Sequence, residues 1–375
     1  MKTTEKTLWV ISILIFIVGA IGLVQFLLTG HTQVSYGSYI PWGLWVSVYV
    51  YLVWLEVGSM LAYTLLVYVF GLHPLAAVGK TVILVALSIL IGALAQIGLD
   101  LGHPFRFWHT LIYPDFGSPM TWMIWLHLIY LVLLAVELWL GISGKAKNWS
   151  RWLALVSLPV GAALVTVVGS IFGVVAGRGF WNASTLPISF LFSALVVGTA
   201  LVTLTYLLAA PDKESEAYQA TKQLLARVTL GVTLFGLFAA GINVLTTSYS
   251  NVPAQAEALR VALFGDFWWG FWILHIGLGI LVPIILLAWR SNSTLSVGVA
   301  SGLIATMFIV VPFSIIVPTL TLPEFEALTT AYIGPGLIFR YSPTPAEFLV
   351  TAWVLSLVAL AILIGNRFLL SRKLA

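Results

Sequence analysis

No cysteine occurs among the 375 residues, so the chain can neither close a disulfide nor ligate an iron–sulfur cluster through thiolates. Any such cluster that works with it belongs to a partner. Charge is nearly as scarce: Asp, Glu, Lys and Arg make up 8% of the sequence, against about 25% in soluble globular proteins. A chain this poor in charge cannot dress a water-facing surface. Its formal net charge of +4 suits anionic lipid headgroups and points to no nucleic acid.

What is present is apolar length. Hydrophobic residues make up 61% of the chain and its mean hydropathy is +1.06. Runs long enough to cross a bilayer as a helix, about 20 residues, lie at roughly 8–28, 43–70, 80–99, 121–141, 152–176, 186–209, 226–247, 267–289, 295–318 and 348–367. They are continuous rather than alternating, which selects helices over the strands of a closed barrel. The expected fold is an all-α integral membrane protein of about ten transmembrane helices. Pro283, Pro312 and Pro318 predict kinks or early helix ends. The first run lacks a small-x-small cleavage site before the next span, and we read it as a retained helix.

The basic residues test the number of spans, because a wrong count would scramble their alternation. Lys2, Lys6, Lys80, Lys145, Lys147, Arg151, Lys213, Lys222, Arg227, Arg290, Arg367, Arg372 and Lys373 fall on the side of the N-terminus. Only four of the 17, Arg106, Arg178, Arg260 and Arg340, fall on the other. The positive-inside rule then puts both termini in the cytoplasm and the protein, multi-pass, in the cytoplasmic (inner) membrane. The connections at 29–42, 100–120, 177–186, 248–266 and 319–346 face outward.

The chain also repeats itself. Phe116-Gly117 followed by His127 recurs as Phe264-Gly265 followed by His275, at an offset of 148. Ile40-Pro41 answers Leu186-Pro187 at 146, and Gln96 answers Asn243 at 147. Such self-similarity divides the chain into an N-terminal helix (1–37), a first four-helix bundle (38–176), a second (177–318), and an outer loop with a C-terminal helix (319–375). Both bundles begin on the same side, so the repeats are parallel.

An ionisable group at membrane depth is costly and usually faces a cavity or a partner. In the first bundle, Tyr49 and His127 lie roughly 9 Å below the outer surface and Glu56 roughly 20 Å. Gln96 and Asp100 share a helix face at i, i+4 and lead into Asp100-Leu-Gly-His103-Pro-Phe-Arg106-Phe-Trp108-His109, the densest polar stretch of that half. Asp100, His103 and Arg106, above Tyr49 and His127, suit the two carbonyl oxygens and the protons of a quinone. Trp42, Trp45, Phe105, Phe107 and Trp108 would cover its ring. Plainer uses exist for the same side chains. Interfacial aromatics belong in any membrane belt, a lone His bridges helices, and Asp100 with Arg106 can close the loop as a salt bridge. Glu137 lies near its helix end and can snorkel; Glu56 lies too deep for that.

The stretch from Asp100 to Leu111, followed by Ser118-Pro119-Met120-Thr121-Trp122, resembles the signature D-L-G-x-P-x-R-F-W-x-x-L then S-P-M-S-W of the NrfD/PsrC family of membrane subunits. Pro41-Trp-Gly-Leu-Trp45 agrees. So does Arg178-Gly-Phe-Trp-Asn182 leading into Leu186-Pro187, Phe190 and Ser193-Ala-Leu. The resemblance covers roughly residues 38–290 and implies a subunit that reacts with a quinone, menaquinol or another, and carries no redox cofactor of its own. Its implied partners are an extracytoplasmic ferredoxin-like subunit with four iron–sulfur clusters, catalytic molybdopterin or cytochrome subunits, and the quinone pool. Two departures stand out. Val46 and Tyr49 replace an Asn–His pair of the simplest members, and ten spans resemble the longer branch of the family.

On this reading Asp100 and His103 accept protons, and Glu56 with Gln96 relay them. Tyr49, Trp45, Arg106, Trp108 and His127 bind the quinone, while His109, Asp115 and Arg178 face the docked partner. The second bundle sets Thr247 opposite Asp100, so it lacks the acid and is expected to serve structure or water conduction. Between His127 and Glu137 no acid intervenes on span four, a gap of about 15 Å. Two other classes remain open at this point: a secondary transporter, which ten spans and parallel repeats would suit, and a haem-b anchor with His127 and His275 as axial ligands.

Overall fold

The computed structural model describes residues 3–144, 147–178, 180, 181, 183, 185–250, 252–325, 327–332, 334 and 336–370. Lys2, Lys145, Asn182, Arg372 and Lys373, named above, lie outside them. Among the described residues the chain is helical and has no strand. Ten helices are long and apolar enough to cross a membrane, and we number them as spans one to ten: Glu5–Gln33, Leu44–Val69, His73–Asp100, Pro119–Ser143, Arg151–Gly173, Leu186–Ala209, Glu216–Tyr249, Gly270–Trp289, Thr294–Leu320 and Pro345–Leu370. Each matches one of the apolar runs. The protein is therefore a multi-pass helical membrane protein. The longer connections, including 101–118, 250–269 and 321–344, gather at one end, called here the long-loop end.

Where the helices differ from the apolar runs, a local interaction accounts for it. Span seven begins at Glu216, well before the run at 226–247. Ser215 caps it by accepting from the Tyr218 amide at 3.2 Å, which satisfies one of the otherwise orphaned first-turn donors. Lys222, read from sequence as a loop or helix-end residue, is buried in that extension. Its ammonium donates to Gln219 Oε1 at 2.6 Å and to the Asn292 carbonyl at 2.7 Å. Span nine breaks at Phe308–Ile309. Pro312, four residues on, cannot donate to the Phe308 carbonyl and crowds it. Span eight is π-helical over Gly270–Leu281 and turns α-helical at Val282, next to Pro283. The wider helix takes up the hydrogen bond that the proline cannot make.

Spans two, three, four and five touch in a closed ring, and spans six, seven, eight and nine form a second ring in the same order. The rings meet through span two on span six, flanked by five on six and by nine on two. Span one packs on span ten, and span ten on span three. With no hydrophobic drive between helices in lipid, such contacts need small residues that let backbones approach. The central crossing has them. A Cβ added to Gly58 would fall on the Ala194 carbonyl, and one added to Gly198 on the Gly58 backbone. Span two is consequently almost wholly buried, whereas span one turns most of its apolar side chains outward.

Candidate functional site

Asp100 ends span three at the long-loop end, and the loop after span one folds over it. The Tyr36 hydroxyl donates to Asp100 Oδ1 at 2.9 Å, and His31 Nε2 lies 3.2 Å from the Asp100 carbonyl. Burial first, and then the neighbouring Asp100 carboxylate, raise the Tyr36 hydroxyl above the usual phenol range. Tyr36 therefore remains a donor at every physiological pH. Beside this pair, Glu347 caps span ten in a capping box with Thr344. It accepts from the Tyr341 hydroxyl at 2.8 Å, the Thr344 amide at 3.0 Å and the Ser35 amide at 3.0 Å. Burial and Glu347 raise the Tyr341 hydroxyl as well. Trp45, fully buried, donates to the Glu347 carbonyl at 3.1 Å and packs edge-on against Phe26.

Below Asp100 a row of buried polar groups descends through the first ring. Tyr49 and His127 meet at 3.5 Å, the outer limit of a hydrogen bond, and His127 Nδ1 lies 2.8 Å from the Met123 carbonyl. Glu56 and Gln96 are both 0% exposed, and neither carboxylate oxygen of Glu56 nor either amide atom of Gln96 has a hydrogen-bond partner. Glu56 is within electrostatic range of Tyr49 and of Tyr130. Tyr130 is also within range of Glu137, and Glu137 of Tyr63. The gap on span four between His127 and Glu137 is thus occupied by Tyr130, a residue missed in the sequence reading. Its signal was there: 127, 130, 134 and 137 repeat at helical spacing and all four are buried. Glu137 is 2% exposed, with both oxygens unpartnered, and does not snorkel.

The other sequence-derived site residues scatter. His103, Arg106, Trp108, His109 and Asp115 are exposed on the 101–118 loop, where Asp115 accepts from the Gly117 amide at 2.9 Å. Asp100 pairs with Tyr36 rather than with Arg106. The aromatics expected around one ring do not converge: Trp42 stacks on Trp181 at 5.7 Å, Trp45 faces Phe26, and Phe105, Phe107 and Trp108 point outward. Arg178 turns inward, to Glu324 at 3.4 Å and to the carbonyls of Thr319 and Leu322 at 3.1 and 2.5 Å. Burial lowers its guanidinium and Glu324 opposes the effect, so it stays charged and ties the connection after span nine to the connection after span five. We expect Arg178→Ala to open that connection: limited proteolysis near residue 324 should speed up at least tenfold, while Arg178→Lys recovers only part of the protection. His127 and His275 lie in separate rings. His31, Tyr36, Tyr341 and Glu347 were not picked out from sequence, and only the Thr344-x-x-Glu347 spacing could have flagged one of them.

Fold and site together define a polytopic membrane protein built on two four-helix rings, with an acid–tyrosine pair at one end and partnerless buried acids beneath it. The sequence profile of the family described as Polysulphide reductase, NrfD matches residues 33–324, and the chain belongs to that family. It is similar to a selenate reductase subunit of Mesobacillus selenatarsenatis, 29% identical over 95% of this chain and 92% of that protein. It is also similar to a putative dimethyl sulfoxide reductase membrane subunit of Halobacterium salinarum, at 30% over 91% and 85%, and to NrfD of Escherichia coli, at 25% over 70% and 89%.

Proposed function

We propose that the chain is the quinone-reactive membrane subunit of a respiratory reductase complex, and that quinol, menaquinol in the first instance, is oxidised beside Asp100 in the first ring. The observation that carries this reading is the Asp100–Tyr36 pair set over unpartnered, fully buried Glu56 and Gln96. Polar groups buried without a partner are few in folded proteins and each calls for an explanation; at membrane depth they mark pathways and ligand sites. Oxidation of one quinol releases two electrons and two protons. The electrons pass to an iron–sulfur cluster of a partner docked on the exposed 101–118 loop, since this chain has no cysteine to hold one. Asp100 accepts a proton, and the names of the relatives, subunits of reductases, support the assembly.

The Tyr49, Glu56, Tyr130, Glu137, Tyr63 row gives protons a route toward the opposite end of the ring. The thirteen-to-four bias of basic residues places Asp100 on the outer side of the inner membrane. If the row conducts, Tyr130→Phe keeps the packing but removes the hydroxyl between the two acids. Quinol-driven acidification by sealed vesicles should then fall at least fivefold while electron transfer in uncoupled vesicles stays within about twofold, since proton relay is lost but quinol binding is not. An equal loss of both activities would refute the route. The function itself is tested by purifying the tagged chain with its complex. Copurification of an iron–sulfur subunit and quinol-dependent reduction of an acceptor are expected; a chain that purifies alone and catalyses solute uptake overturns the reading in favour of a transporter.

A further inference from the structure

The second ring encloses a ligand-sized space. A cavity of about 170 Å³ lies among spans six, seven, eight and nine, roofed by the helix Pro253–Phe264. For scale, an engineered apolar cavity of about 150 Å³ takes up benzene. The lining is apolar except for a few convergent polar groups, Asn243, Thr247, Gln255 and His275 among them, which is the usual make-up of a small-molecule site.

Two observations make this more than a packing gap. The first is His275. It is 7% exposed, its Nδ1 has no hydrogen-bond partner, and the edges of Phe271 and Phe308 hold its ring at centroid distances of 5.6 and 4.9 Å. It sits in the middle of the twelve-residue π-helical stretch of span eight, and π-helical turns gather at functional sites. The second is correspondence. The repeat offsets of 146 to 148 carry Gln96 onto Asn243, Asp100 onto Thr247, His127 onto His275 and Tyr49 onto Val196, and all four second-ring positions line the cavity. In the first ring, Tyr49, Gln96 and His127 are closed over, at 2%, 0% and 2% exposure. In the second, Val196 replaces the bulky tyrosine, Asn243 the longer glutamine and Thr247 the acid, and the same place is open. Ser193 and Leu186, from the third sequence motif, complete its wall.

From these residues we propose that the second ring is a separate binding site for the head of an isoprenoid quinone, whose carbonyl oxygen accepts a hydrogen bond from His275. The occupant must enter from lipid, because the site lies about 8 Å below the end of span eight. An apolar ring bearing a carbonyl matches both the apolar lining and the lone imidazole donor. With Thr247 in place of an acid, the site binds without a carboxylate to take the proton of a quinol. It holds the ligand rather than oxidising it. The proposal shares only the ligand class with the first-ring reading and stands on a different cavity.

The test is a fluorescence-quench titration of the purified complex in nanodiscs with a hydroxyquinoline N-oxide, a quinone analogue. Two equivalents per chain are expected. Ala239→Phe, which fills the cavity, should leave one, and His275→Leu should weaken one class of site about tenfold, the worth of a single buried hydrogen bond, with His275→Gln restoring much of it. Neither variant should change quinol turnover by more than about twofold. One equivalent that is indifferent to all three variants overturns this proposal and leaves the first-ring reading intact. Turnover that is lost in His275→Leu but unchanged in Asp100→Asn overturns the first-ring reading instead. A phospholipid held by the wild type and released by Ala239→Phe in native mass spectrometry, with one equivalent of analogue, also overturns the proposal.

Discussion

Asp100→Asn should lower quinol oxidation by the complex about a hundredfold or more, the usual scale for loss of a positioned general base. The substitution is close to isosteric. Asparagine can still accept the Tyr36 hydroxyl through its side-chain oxygen, so the loop over span three stays closed and only the proton acceptor is removed. The loss is therefore expected in kcat, with binding of a quinone analogue unchanged. Tyr36→Phe should cost less, about tenfold, because it deletes one hydrogen bond to Asp100 and leaves the acid. Tyr36 itself contributes no step to the pH profile between about pH 6 and 9, because its hydroxyl is held above the ordinary phenol value near 10 by burial and by Asp100. A profile whose step in that window vanishes in Tyr36→Phe would contradict this assignment, as would an Asp100→Asn enzyme of normal kcat.

The second large effect is structural and needs only one methyl group. Gly58→Ala places its Cβ on the Ala194 carbonyl of span six, where the obstacle is backbone and cannot swing aside. Spans two and six must separate, and with them the two rings. We expect a loss of at least about 3 kcal/mol, the upper range of overpacking costs, seen as a collapsed monodisperse peak or a strongly lowered Tm in detergent. Gly231→Ala is the control. Nothing lies within 4 Å of the position a Cβ would take there, and alanine favours the helix, so stability should hold or rise slightly. Equal behaviour of the two variants would mean that the crossing does not hold the rings together.

Much of this molecule was legible in its sequence for a simple reason. A bilayer forces every backbone polar group to be satisfied within its own segment, so ten apolar runs become ten helices with little room for alternatives. Pro312 announced the break in span nine because a missing N–H acts locally. Local chemistry also explains what hydropathy misplaced: a Ser215 cap and a satisfied Lys222 extended span seven beyond its apolar run. The candidate site was half legible. Asp100, Glu56, Gln96, Tyr49 and His127 stood out as polar groups at depth. Their neighbours did not, because Tyr36, Tyr341 and Glu347 come from connections whose sequence separation from Asp100 runs up to some 250 residues.

The sequence by itself determined the solvent, the number of crossings, the family and the rank of buried acids worth attention. Each of these follows from composition or from spacing along one helix. Tertiary structure decided what those acids touch. It turned Arg178 inward to a loop, gave Asp100 a tyrosine instead of Arg106, placed Tyr130 between Glu56 and Glu137, and closed the first ring around its polar core while leaving a cavity in the second. The physical reason is volume. Whether a tyrosine or a valine stands opposite a histidine decides between a packed core and a cavity, and that comparison exists only once four helices have been brought into a ring.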